Sequence, residues 1–124
     1  MSLSLDLSRF IKKTTTNVDA KVRVICLDLM SGIVLKTPVD TGRARANWQA
    51  SIGSPRSDTT TSTDKNGSGT IAANADVVAR APGNIFWLTN NLPYISRLEY
   101  EGWSNQAPRG MVRITIDEVQ RRLR

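Results

Sequence analysis

Histidine is absent from the 124 residues, and cysteine occurs once, at Cys26. The chain therefore lacks the commonest general base and metal ligand, and a lone thiol can close neither an internal disulfide nor a cysteine-based zinc site. No apolar run approaches the ~18 residues of a membrane span. Met1 to Phe10 carries neither the basic start nor the apolar block of a signal peptide, so we expect a soluble protein made in a cytoplasm, with no membrane partner. Large apolar side chains are also missing from Gly53 to Thr70. Such a stretch cannot bury enough surface to offset its ordering entropy. The length fits one domain over residues 1–124, with residues 53–70 as a flexible polar hairpin arm.

Negative charge is the scarcer sign. Eleven Asp and Glu against seventeen Lys and Arg leave +6, a balance that suits a polyanion such as nucleic acid. The excess is spread over residues 1–56 and 109–124, with no dense basic tract. Twelve of the seventeen cations are Arg, whose planar fork pairs with carboxylates across a protein interface as readily as with phosphate. Charge alone leaves a nucleic-acid binder and an assembly protein both open.

Ile11, Val18, Val22, Ile25, Cys26, Leu29 and Ile33 recur at helical spacings. They predict one amphipathic helix from about Ser8 or Asn17 to about Leu35, stopped by Pro38 and packed on a sheet. Asp40 or Thr41 can cap a short turn through Arg43, Ala44, Arg45 and Ala46. Trp48, Ala50 and Ile52 alternate with polar residues, the pattern of a half-buried strand. Ile71 to Ala81 reads as a short helix closed by Pro82-Gly83, and Ile85 to Thr89 as a central strand. Pro93 can open a helix carrying Tyr94, Ile95, Leu98 and Glu99, ended by Gly102. The last segment alternates at Val112, Ile114 and Ile116, yet Val112, Ile116, Val119 and Leu123 also share a helical face. Cations at Arg121, Arg122 and Arg124 favour the helix. The chain reads as α+β: a long N-terminal helix and shorter helices on one face of a small antiparallel sheet with a long hairpin arm.

Little catalytic chemistry can be assembled from these residues. Gly67-Ser68-Gly69-Thr70 lacks the Gly-Lys-Ser/Thr of a phosphate loop and reads as a hairpin tip. The acid and base candidates are Asp40, Asp76, Glu99 and Glu101, but Asp40 is more simply a cap, Glu99 more simply a partner for an Arg, and Glu99 and Glu101 are two apart, so they do not share a helix face. Cys26 sits on the apolar stripe as a small hydrophobe. We expect no enzymatic activity and assign no catalytic, cofactor-binding or metal-binding residue. Arg43 and Arg45 near Trp48, and Arg121, Arg122 and Arg124 at the tail, keep a small basic nucleic-acid-binding module as an alternative. Three tryptophans, two tyrosines and the arginines are the residue types that anchor protein interfaces. The candidate interface residues are therefore Arg45, Trp48, Arg56, Asp58, Lys65, Trp103 and Arg109, with Arg121, Arg122 and Arg124.

Four stretches then carry a resemblance. They are Thr37-Pro38-Val39-Asp40-Thr41-Gly42-Arg43, Asn90-Asn91-Leu92-Pro93-Tyr94, Leu98-Glu99-Tyr100-Glu101-Gly102-Trp103-Ser104 and Gln106-Ala107-Pro108-Arg109-Gly110-Met111-Val112-Arg113. In this order they resemble the small tail-completion or neck proteins of tailed bacteriophages, over about residues 8–123 with the arm unmatched. Glu99-Tyr100-Glu101-Gly102 inserts one residue relative to the Glu-x-Gly form usual there. The resemblance implies an α+β fold, an Ala-Pro start to the final helix and a noncatalytic virion part that assembles into a homo-oligomeric ring. Its implied place is the virion neck or tail, after assembly in the host cytoplasm. The implied neighbours are connector or stopper proteins and the tail tube or terminator, and a tail terminator ring is the alternative within the same class; separately, the positive charge leaves nonspecific contact with DNA open. The motif residues Pro38, Asp40, Thr41, Gly42, Arg43, Pro93, Tyr94, Glu99, Gly102, Ala107 and Pro108 are then scaffold. Asp40 is expected to cap the turn, Gly42 to supply backbone freedom, and Arg43 to reach back to Glu99.

Overall fold

The computed structural model describes residues 18–123, and in it the leading apolar stripe forms helix α1 (Val18–Lys36). The two expected helix starts, Ser8 and Asn17, the stripe residue Ile11 and the candidate Arg124 lie outside the described residues. Val22, Cys26, Leu29, Met30, Ile33 and Val34 turn inward from α1. At its end the Thr37 hydroxyl donates to the Ile33 carbonyl at 2.7 Å, and Pro38 prevents a further turn. The last carbonyls are satisfied by Arg45, which donates to Leu35 O and Thr37 O at 2.8 Å each.

A one-turn helix α2 (Arg43–Ala46) follows, then strand β1 (Gln49–Ile52). Trp48 enters the core, 1% exposed, with its indole N–H on the Thr37 hydroxyl at 2.8 Å. β1 pairs antiparallel with β2 (Phe86–Thr89), Ala50 opposite Leu88 and Ile52 opposite Phe86. The fold is thus α+β, with two strands in its sheet among the described residues.

The outer edge of β1 is closed by a side chain. Asn74 accepts the Ala50 N–H at 3.1 Å and donates to the Trp48 carbonyl at 3.0 Å, standing where a third strand would pair. Asn74 belongs to helix α3 (Ser68–Ala79), which begins three residues before the expected Ile71. Gly67-Ser68-Gly69-Thr70 is therefore the entry to a helix and not a hairpin tip. The physical reason is Asp64, whose carboxylate accepts the N–H groups of Gly67 and Thr70 and the Thr70 hydroxyl at 3.1, 2.6 and 2.7 Å.

Helix α4 (Ile95–Tyr100) follows β2, and α5 (Val112–Arg122) ends the described chain. The ambiguous last segment is a helix, burying Val112, Thr115 and Val119. Leu123 instead is 52% exposed. α5 begins four residues beyond Pro108, because Ala107 to Gly110 close a turn (Gly110 N–H to Ala107 O, 3.1 Å) before the helix can start. α1 lies against α3 and α5, and Ile33, Met30, Trp48, Phe86, Leu88, Leu92, Ile95 and Met111 share one core. Burying each such side chain contributes about 1.5–3 kcal/mol before entropy.

Candidate assembly surface

Residues of all four motif stretches meet around an open groove of about 670 Å3. Pro38, Val39, Asp40, Thr41, Gly42 and Arg43 form one wall; Tyr94, Leu98, Trp103 and the turn through Gln106 form the other. Gln106 locks the walls together, accepting the Val39 N–H at 2.8 Å and donating to the Val39 carbonyl at 2.9 Å. At the lip Trp103 is 59% exposed. It packs at a tilt on Tyr94, ring centroids 6.2 Å apart, with the Arg97 guanidinium 5.6 Å from its ring. Tyr100, also exposed, has the Arg113 guanidinium 4.9 Å from its ring centre. An exposed aromatic whose orientation is already fixed loses little entropy on docking, which is what a contact anchor requires.

Glu99 holds this wall in place. Its carboxylate is fully buried and accepts the N–H groups of Met111 and Val112 at 2.7 and 2.8 Å and that of Arg113 at 3.1 Å. The Arg113 Nε donates to it at 2.9 Å, and a second guanidinium nitrogen donates to the Glu99 carbonyl. α5 has no side-chain cap of its own. A carboxylate from α4 thus satisfies the N–H groups and the positive dipole end of another helix. Gly110 leaves the room: at φ +83 it passes so close that a Cβ would meet the Glu99 carboxyl carbon at 2.8 Å. The expected Arg43 to Glu99 contact is not formed. Arg43 Nε donates to the Thr60 carbonyl at 3.1 Å, because residue 60 passes directly over α2.

The stretch 53–67 is a strap laid along α2 and the sheet and not a hairpin, and it leads into the helix expected after the arm, α3, which starts three residues early. Asn47 clasps Thr60, accepting its N–H at 2.9 Å and donating to its carbonyl at 3.0 Å. Gln49 and Asn91 donate to the Asp58 carbonyl at 2.8 and 3.0 Å, and Asn91 also reaches Arg56 O at 2.9 Å. Arg45 donates to Lys65 O at 2.8 Å, and the Asp64 N–H donates to Gly42 O at 3.0 Å. Gly42 has φ +93, and a Cβ there would stand 2.8 Å from the Asp64 backbone. Both facts require glycine. The expected freedom at Gly42 is present, but the side-chain contact to the turn comes from Thr41, whose hydroxyl accepts the Arg43 N–H at 3.3 Å, while Asp40 is exposed.

The remaining candidates separate by burial. Trp48 and Arg45 are scaffold: the first is core, and the second spends its donors on the three carbonyls of Leu35, Thr37 and Lys65. Arg56 and Asp58 pair with each other on the exposed strap at 2.9 Å, and that hydrogen bond holds the Asp58 carboxyl below its ordinary range. Asp64 is likewise held low, first by the Thr70 hydroxyl and N–H and then by Gly67 N–H and the Arg45 charge. Arg121 pairs with Asp117 at 2.7 Å and Arg122 approaches Asp28 at 3.9 Å, away from the groove. Lys65 and Arg109 are exposed. Pro93 is exposed one residue before Tyr94, and Ala107 is buried beneath the second wall. Gly102 has φ +58, and a Cβ there would stand 3.0 Å from Pro108 O. Burial pushes the Cys26 thiol up to about 12, consistent with an inert core residue.

Sequence reading missed the amides. Asn47, Gln49, Asn74, Asn90, Asn91 and Gln106 each bind main chain. The available signal was their position, since four of them sit within two residues of a strand end. No family model, curated protein or solved structure matches the chain.

Proposed function

We propose that this protein is a structural part of the head-to-tail junction of a tailed phage, a neck or tail-completion component that works by ring assembly. The observation that carries the reading is convergence. The Pro38 to Arg43 turn and the Tyr94 to Gln106 segment, quoted above for their order in sequence, form opposite walls of one groove with Trp103 exposed at its lip. A heterologous contact repeated around an axis closes when the rotation per subunit divides the circle, so one such groove per subunit suffices to build a ring. Trp103, Tyr94 and Arg97 are the anchors in this reading, and connector or stopper proteins on one side and the tail tube or terminator on the other are the neighbours. Its mechanism is association; no bond is made or broken.

The test is genetic and structural. Particles from a phage carrying a null allele are imaged; filled heads beside unattached tails support the reading, and normal infectious virions overturn it. Trp103→Ala refines the result. Because Trp103 is exposed, the variant folds normally, and it reproduces the null phenotype if the groove is the contact. Wild-type infectivity of that variant assigns the ring contact elsewhere.

A further inference from the structure

We propose that the outer face of α1 is a second, separate contact, on which two copies of this chain pair antiparallel about a two-fold axis. The groove plays no part in it, and it stands whether or not the junction reading holds. α1 is apolar on two sides. Its inner side is in the core, yet Val24 is 58%, Leu27 41% and Leu35 51% exposed on the other. A surface helix with apolar residues all round is one whose second side is covered by something else. Ala20, Val24, Leu27 and Ser31 step by four, three and four, which is the seam of a two-helix contact.

The flanks of that seam specify the occupant. Lys21 follows Ala20 and Asp28 follows Leu27, so both lie on the same flank, seven residues apart. When two such helices run antiparallel with Val24 over Leu27 of the second copy, Ala20 falls over Ser31, a small residue on a small one. Equivalent flanks then face each other, and Lys21 meets Asp28 of the second copy, once on each side of the axis. Asp28 remains accessible for this, since its contact within the chain is a 3.9 Å approach by Arg122, and its side chain is 43% exposed. A parallel pair would depend on Arg23 reaching Asp28 of the second copy. Arg23 is turned towards α3, where its Nε donates to the Ala79 carbonyl at 3.1 Å.

A single helix pair is small by the standard of permanent dimers, so the equilibrium falls in roughly the micromolar to sub-millimolar range. Sedimentation equilibrium of the full chain should show the mass doubling with concentration. Lys21→Glu places Glu against Asp28 of the second copy twice, and Asp28→Lys places Lys against Lys21 twice; each variant alone weakens the dimer by about tenfold or more. An equimolar mixture of the two variants makes both flanking pairs attractive and recovers the wild-type dimer. Unchanged far-ultraviolet circular dichroism shows that these exposed substitutions leave the fold intact. A wild-type protein that stays monomeric, a Lys21→Glu dimer of undiminished strength, or a mixture that fails to pair overturns the proposal.

Discussion

Replacing Glu99 by Gln keeps the shape of the side chain and removes its charge, so it isolates what the buried carboxylate contributes. In the wild-type protein that group is 0% exposed and accepts three backbone N–H groups and the Arg113 Nε. An amide presents one oxygen and one NH2, so at least one donor at the start of α5 loses its partner or faces another donor. Hydrogen bonds to a charged group are worth about 1.5–3 kcal/mol net, and a stranded buried donor costs about 1–3 kcal/mol. We expect Glu99→Gln to cost about 3 kcal/mol, which at roughly 4 °C per kcal/mol for a domain of this size lowers Tm by about 12 °C. Arg113 is the control, because its side chain is 55% exposed in the same ion pair. Solvent screening limits the loss in Arg113→Gln to about 1 kcal/mol. Urea denaturation of both variants measures the difference. Equal losses, or a Glu99→Gln loss within about 0.5 kcal/mol of zero, would refute the view that backbone donors rather than the arginine hold this carboxylate.

Gly42→Ala meets both a positive φ and the Asp64 backbone at 2.8 Å; we expect a loss of about 2 kcal/mol or more and faster proteolysis within residues 56–65, followed by mass spectrometry. The depressed Asp64 pKa means that its stabilisation is complete at neutral pH and is lost as pH falls through the range where the folded carboxylate protonates. Asp64→Asn should flatten the acid side of a stability-versus-pH curve, and an unaltered slope would show that Asp64 does not contribute to it. Trp48, just before β1, and Trp87, within β2, should respond differently to Phe. Trp48→Phe removes the indole N–H that donates to the Thr37 hydroxyl, which keeps its own bond to the Ile33 carbonyl, and costs about 1 kcal/mol or more, whereas the Trp87 indole N–H is the buried side-chain donor left without a partner among the described residues, so Trp87→Phe should be nearly neutral in thermal denaturation.

Legibility in sequence followed the range of the interactions. α1 was readable because apolar spacing is a local property, and Gly42 because a tight turn leaves a local mark; at α5 the spacing fitted strand and helix alike, and the cations of the last turn pointed to the helix. The route of residues 53–67 was not. Their composition correctly indicates that they bury no apolar surface, but what fastens them is supplied by Arg43, Asn47, Gln49 and Asn91, up to 35 residues away in sequence. The same holds at Glu99: a single carboxylate in a helix suggests a pair with an arginine, and the choice between Arg43 and Arg113 depends on where α5 starts. Trp48 and Trp103 share a residue type and differ only in depth, which no local pattern encodes. The groove itself was half legible, since its wall residues were named together without any indication that they face one another.

Because the strap is gripped chiefly by its carbonyls, and every amino acid brings a carbonyl, most of its side chains are free to drift. Thr59, Thr61 and Thr63 are exposed and should accept almost any non-proline substitution, provided the spacing between the anchors at residues 56, 58, 60 and 65 is kept. The gripping residues have no such latitude. Across divergent sequences of this kind, the segment that looks least constrained would therefore vary in letters and hold its length.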